Sequence, residues 1–115
     1  MSNITVGKQG EEIACKYLNK LGYTIIERNI HFSRTCELDI LALGKKHTLI
    51  AIEAKTRRNN SCGMPLEAIT KQKYNNIKTG LFTYLKEHPE HKKFQIDAIS
   101  VILFPEIAIQ HLKNI

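Results

Sequence analysis

Cysteine is scarce in this 115-residue chain, and its three copies, Cys15, Cys36 and Cys62, form no C-x-x-C pair. An odd, scattered set excludes a disulfide framework and lacks the ligand spacing of a zinc site. The thiols read as reduced, which points to the cytoplasm. No apolar run approaches the about 18 residues that a membrane span needs. The opening residues, MSNITVGKQG, hold no apolar signal core. There is no phosphate-cradling glycine loop, no G-x-G-x-x-G, no helix-turn-helix signature and no finger spacing. Internal repeats and low-complexity tracts are missing too. Only 24% of residues are charged, while the 43% that are hydrophobic run throughout the chain, which excludes compositional disorder. These absences leave a soluble, intracellular protein with one domain over residues 1–115 and a core that needs no covalent staples.

The charge that is present is lopsided. Seventeen Lys and Arg against eleven Asp and Glu give a net charge of +6. A basic excess suggests an anionic partner, with nucleic acid first among the candidates. Many basic proteins bind no nucleic acid, so the charge is a lead only.

Hydrophobic periodicity organises the chain. From about Val6 to Leu21, residues Ile13, Ala14, Tyr17, Leu18 and Leu21 fall on one helical stripe, with Gly22 as the terminating glycine. Glu12 points away from that stripe and Glu11 lies at its edge. Three β-rich runs follow, at Tyr23–Ile30, Glu37–Leu43 and about Thr48–Thr56. The short turn Gly44–His47 between the last two predicts an antiparallel hairpin. Arg57–Gly63 reads as a polar loop, and Pro65–Ile69 is ambiguous. Thr70 suits a helix N-cap, with the helix over Lys71–Glu87 ended by His88-Pro89. His88 and His91 flank that proline and are expected to be exposed. A strand over Phe94–Leu103 and a short one over Ile107–Leu112 complete the chain. The order α-β-β-β-α-β-(β) predicts an α/β fold with a mixed central sheet flanked by helices.

The two most strand-like segments carry charge. In ELDILAL, Glu37 and Asp39 share a face with Leu41 and Leu43, while Leu38, Ile40 and Ala42 line the other. In LIAIEAK, Glu53 and Lys55 share a face with Ala51, opposite Ile50 and Ile52. Both strands look covered on both sides. Burying an unpaired carboxylate costs several kcal/mol, and clustered acids also repel. A divalent cation removes both penalties, and carboxylate oxygens suit Mg²⁺ or Mn²⁺, with water and phosphate completing the shell. A lysine two residues from a ligand could orient water or stabilise charge on a phosphorane-like transition state. Asp39 followed by Glu53-x-Lys55 on a paired strand is thus a sensible site for phosphodiester hydrolysis. The alternative is a surface Glu53–Lys55 ion pair beside an acid that merely ends a strand.

Several stretches together resemble the YraN family of small bacterial endonuclease-like proteins. That family is placed in the PD-(D/E)xK, restriction-endonuclease-like superfamily and is related to Holliday junction resolvases. The likeness runs through Gly7-Lys8-Gln9-Gly10-Glu11, Gly22-Tyr23, Arg28-Asn29, Cys36–Ala42 and Ala51–Arg57. It continues through the helix from Lys73 to Tyr84-Leu85 and the strand at Phe94–Asp97. Cys36 stands where the family has glycine, and Ala51 and Ala54 stand where it has a bulkier aromatic and Val. The resemblance implies a restriction-endonuclease-like fold and Mg²⁺ or Mn²⁺ held by Asp39, Glu53 and the Ala54 carbonyl. It further implies Lys55 as catalytic lysine and Glu11 completing the acidic cluster. For Glu37 it leaves chemistry and sheet-end structure equally open. DNA is the implied partner, branched or single-stranded, with a homodimer one way to cut a junction symmetrically. A non-catalytic nucleic-acid- or partner-binding module on the same fold is the alternative.

Arg57, Arg58, Lys71, Lys73 and Lys78 follow the site and could contact phosphates, which would position a substrate without reading its sequence. Lys73 stands out because it lies near the apolar stripe and matches the family's lysine. Solvated surface charge is the alternative for all five. The five histidines make no ligand pattern, and Ser61 and Cys62 have no evident base.

Overall fold

The computed structural model of the chain describes residues 3–59 and 69–115. The ambiguous segment Pro65–Ile69, most of the expected Arg57–Gly63 loop, and Ser61 and Cys62 lie largely or wholly outside those residues. The elements are α1 (Asn3–Lys20), β1 (Thr24–His31), β2 (Glu37–Leu43), β3 (Leu49–Arg57), α2 (Lys71–Glu87), β4 (Phe94–Ile102) and β5 (Ala108–Leu112). They form one five-stranded sheet in the order β1-β2-β3-β4-β5. Strands β1, β2 and β3 pair antiparallel, β3 and β4 pair parallel, and β5 returns antiparallel on β4. The α/β class, the mixed sheet and the β2–β3 hairpin are as the sequence predicts. No helix among the described residues is long and apolar enough to cross a membrane.

Each helix covers one face of the sheet. On one side Val6, Ala14, Cys15 and Leu18 of α1 pack on Ile40, Ala42, Ile50, Ile52, Ile99 and Val101. On the other, Ile77, Leu81 and Tyr84 of α2 pack on Leu38, Leu41, Leu49, Ala51 and Ile96. Burial on both faces explains why β2 and β3 read as nearly continuous apolar runs rather than alternating ones.

Local chemistry sets the ends of the helices. Gly22, at φ +92°, closes α1: the Tyr23 N–H bonds to the Leu18 carbonyl and the Gly22 N–H to the Asn19 carbonyl, the pairing of a Schellman cap. Leu21 therefore sits in the capping turn, 40% exposed rather than in the core, and Cys15 joins the buried stripe instead. Thr70 caps α2 as expected, its hydroxyl accepting from the Lys73 N–H at 3.0 Å. His88 is half-buried, correcting the expectation of exposure. Its ring stacks on Tyr84 with centroids 3.9 Å apart, covering an aromatic face that would otherwise meet water.

Two features place the charged residues. Gly10 brings α1 hard against β3, since a Cβ there would overlap the Thr56 side chain. Glu11 follows directly and is carried to the end of the sheet. Gly10→Ala is expected to destabilise the protein by roughly 1–3 kcal/mol, because Thr56 is anchored at its own Cβ and cannot swing away. A lowered urea midpoint would show it; an unchanged midpoint would mean that helix and strand are not in contact here. The second feature is a slip in β2. Leu38 packs with α2 and Ile40 with α1, although residues two apart in a regular strand share a face. The expected Leu38–Ile40–Ala42 face is therefore broken, and the break falls at Asp39.

Candidate functional site

The acids of β2 and β3 meet where the sheet opens. The β2–β3 ladder runs from Leu43↔Leu49 to Ile40↔Ile52 and stops there. The next residues are Asp39 and Glu53. Freed from the ladder, the Ala54 N–H turns to the Asp39 side chain and donates to Oδ2 at 3.0 Å. N–H and C=O of one strand residue point to the same neighbour, so the Ala54 carbonyl also faces this opening. The carboxyls of Asp39 and Glu53 lie close enough to act on each other electrostatically.

The electrostatics follow from burial and that proximity. Glu53 is only 4% exposed. Burial, then the charge of Asp39, pushes its carboxyl up to about 7 from an ordinary 4.5, while the cations of Lys73 and Lys55 pull the other way. Burial also raises Asp39, against the pull of the Ala54 N–H. The Lys73 ammonium lies 3.5 Å from Glu53 Oε1. Lys55 shares the Glu53 face of β3 and is half-buried, with no ion pair among the described residues. The direct partner of Glu53 is thus Lys73, which the sequence pointed to as a phosphate contact.

Glu11 stands apart from the pair. Its Oε1 accepts from Arg28 Nε at 3.1 Å and from Asn29 Nδ2 at 2.9 Å, with Arg28 Nη2 at 3.0 Å. Glu12, expected to be merely solvated, is exposed but meets Arg28 Nη1 at 3.1 Å. Glu11, Asp39, Ala54, Thr56, Arg57 and Arg58 line an open cleft of about 970 Å³ between the start of α1 and the ends of β2 and β3. Glu53, Lys55 and Lys73 are not on its wall; they lie on the α2 side. Glu37 lies at the cleft and meets His31 at 3.1 Å.

The donor set can be tested for a metal. Among the described residues no three Asp, Glu, His or Cys side chains converge on one point. Two carboxylates do come together, and burial is the main reason that each holds a proton more tightly than usual. Mg²⁺ is commonly bound through one or two carboxylates, with water and phosphate completing its shell. Asp39, Glu53 and the Ala54 carbonyl fit that description.

Arg28 and Asn29 belong to the family resemblance, and sequence chemistry alone assigns them no role. The signal was there: Asn is a poor strand former set in the middle of a β-rich run. A second polar set lies between β4, β5 and α1. Buried Asp97 accepts from His111 Nε2 at 2.8 Å, Gln95 Nε2 at 2.9 Å and the Asn114 N–H at 2.9 Å, and His111 Nδ1 meets the Tyr17 hydroxyl at 2.9 Å. Protein groups satisfy this acid fully, and it ties β5 and the residues after it to β4 and α1.

Comparison with known proteins adds a family. The model of "Uncharacterised protein family UPF0102" matches residues 10–101, a span containing Glu11, Asp39, Glu53 and Lys55. A UPF0102 protein of Dictyoglomus thermophilum is 41% identical over 104 residues, covering 90% of this chain and 86% of that protein. One from Syntrophomonas wolfei is 39% identical over 102 residues, covering 88% and 87%. One from Rhodococcus opacus is 34% identical over 115 residues, covering 97% and 96%.

Proposed function

The chain belongs to the uncharacterised protein family UPF0102, and from its acidic pair we propose that it is a divalent-metal-dependent nuclease of the PD-(D/E)xK superfamily that hydrolyses DNA phosphodiester bonds. The observation that carries this reading is that Asp39 and Glu53 come together at the mouth of an opened ladder, with the Ala54 N–H donating to Asp39. Asp39, Glu53 and the Ala54 carbonyl hold Mg²⁺ or Mn²⁺. The bound cation supplies Lewis acidity and a more acidic water. Lys55 faces the same side as Glu53 and stabilises negative charge as it builds on the phosphate oxygens. Arg57 and Arg58 on the cleft wall neutralise flanking phosphates, which fixes the strand without reading its bases. Branched or single-stranded DNA is the substrate, and a homodimer would supply paired cuts at a junction.

The test is a cleavage assay on branched DNA with Mn²⁺, comparing the wild type with Lys55→Ala. Cutting should fall by about 10²–10³-fold, while DNA affinity stays within about threefold because the cleft arginines remain. Equal cutting by the two proteins would remove Lys55 from the chemistry.

One observation favours a second reading, a nucleic-acid- or partner-binding module without turnover: Glu11 is engaged by Arg28 and Asn29, and among the described residues no third acid joins Asp39 and Glu53. That reading expects no cleavage with any divalent cation. It also expects salt-sensitive DNA binding that is unchanged when metal is removed.

A further inference from the structure

We propose that Asn29 is the positioning residue of the acidic site: its left-handed backbone releases β1 from β2 opposite Asp39, and its side-chain amide, with Arg28, fixes Glu11 in the cleft. The importance of the site rests on the nuclease reading, but the geometry does not.

The β1–β2 ladder pairs Glu27↔Leu41, Arg28↔Ile40, Ile30↔Leu38 and His31↔Glu37. By that register Asn29 faces Asp39, yet these two form no pair. The reason is local, since Asn29 has φ +52°. A residue in the left-handed region inside a strand turns its peptide groups out of the ladder; the register is the same on both sides of Asn29, and the bulge of this strand pair lies between Ile25 and Glu27. On the other edge of β2 the β3 ladder has already ended at Ile40↔Ile52. Asp39 is therefore the position that both neighbouring strands let go. The facing of β2 slips here, with Leu38 toward α2 and Ile40 toward α1. That freedom brings the Asp39 carboxyl to the Ala54 N–H.

The side chain of Asn29 does a second job. Its amide and two nitrogens of Arg28 all converge on Glu11 Oε1, at 2.9, 3.1 and 3.0 Å. Gripping one oxygen fixes the carboxyl plane and leaves Oε2 for the cleft. Asparagine suits both jobs, because it visits the left-handed region more readily than most residues and carries an amide donor. Glycine could supply only the backbone, and valine neither.

Two variants separate these roles in metal-free protein by NMR. The Ala54 amide reports the opening of the ladder, and the Glu11 side-chain carboxyl ¹³C shift reports the clamp. Asn29→Gly should shift the Glu11 resonance and leave Ala54 amide exchange within about twofold of wild type. Asn29→Val should shift Glu11 and also speed Ala54 exchange by about tenfold or more, as the closing ladder pulls Asp39 away. If the valine variant does not fold, Asn29→Ala takes its place with the same expected direction. Wild-type Ala54 exchange in Asn29→Val, or in Asn29→Ala where that takes its place, would overturn the backbone role. An unmoved Glu11 resonance in Asn29→Gly would overturn the clamp. Failure of the nuclease reading looks different: the wild type would neither bind Mn²⁺ nor cut DNA, with the NMR effects intact.

Discussion

Asp39→Ala is expected to lose Mn²⁺ binding and DNA cleavage together, with cutting down by about 10³-fold or more. The protein should stay folded. Two effects on stability oppose each other. Removing the carboxyl leaves the Ala54 N–H without its acceptor, which costs about 1–3 kcal/mol if water cannot reach it. It also removes the acid that raises Glu53, so Glu53 can ionise beside Lys73 with less resistance.

Asp39→Asn separates charge from structure. The amide oxygen can still accept from Ala54, and the NH₂ group can donate to Glu53, so the orphaned donor does not arise. Its stability without metal should equal or exceed that of the wild type, yet cation binding and cleavage should still be lost. Isothermal titration of Mn²⁺ into the three proteins, beside circular dichroism, decides the matter. Mn²⁺ binding that survives in Asp39→Asn would make Asp39 a structural cap on Ala54 and would remove the central support for the nuclease reading.

Much of this site was legible because charge in an apolar strand has few physical explanations. Asp39 and Glu53 each interrupt a segment that is buried on both faces, and the short Gly44–His47 turn was enough to make those segments neighbours. The hairpin register then follows almost unaided. What the sequence hid was the exit from that register. Strand periodicity assumes an unbroken pleat, so it put Leu38 with Ile40, and nothing in ELDILAL itself marks the slip. Its cause lies on another strand, in the backbone of Asn29, and such non-local control escapes any reading of one segment. The same limit explains Lys73. Its stripe position showed that it borders the core, but only the packing of α2 on β3 shows that it reaches Glu53. Asp97 and His111 were opaque for a related reason: fourteen residues apart, they become partners only when β5 folds back on β4.

The second large effect is a pH-dependent stability that a single isostere should erase. Glu53 titrates near 7 when folded and 4.5 ordinarily. Below 4.5 the carboxyl is protonated in both the folded and the unfolded chain and contributes no difference. As pH rises from 4.5 to 7 the unfolded chain gives up this proton first, so the unfolded state gains and the fold loses stability. Above 7 the penalty is constant, at most about 3 kcal/mol. The raised Asp39 acts in the same direction. Glu53→Gln removes the titration while keeping the shape and a hydrogen-bond donor toward Asp39. Lys73 loses its partner at little cost, since a third of its side chain is exposed. Urea denaturation without metal should therefore find Glu53→Gln more stable than the wild type by roughly 1–3 kcal/mol at pH 8, with the gap closing toward pH 4.5. Comparing the two proteins cancels groups remote from the site, while Asp39, whose own carboxyl feels Glu53, changes with it. Millimolar Mn²⁺ should then stabilise the wild type and not the variant, because ligand binding raises stability only where the site can take the ligand. The acid that weakens the metal-free fold is, on this account, the one the cation needs. A gap that does not change with pH would mean that Glu53 binds its proton equally well in the folded and unfolded chain, so that burial does not raise it.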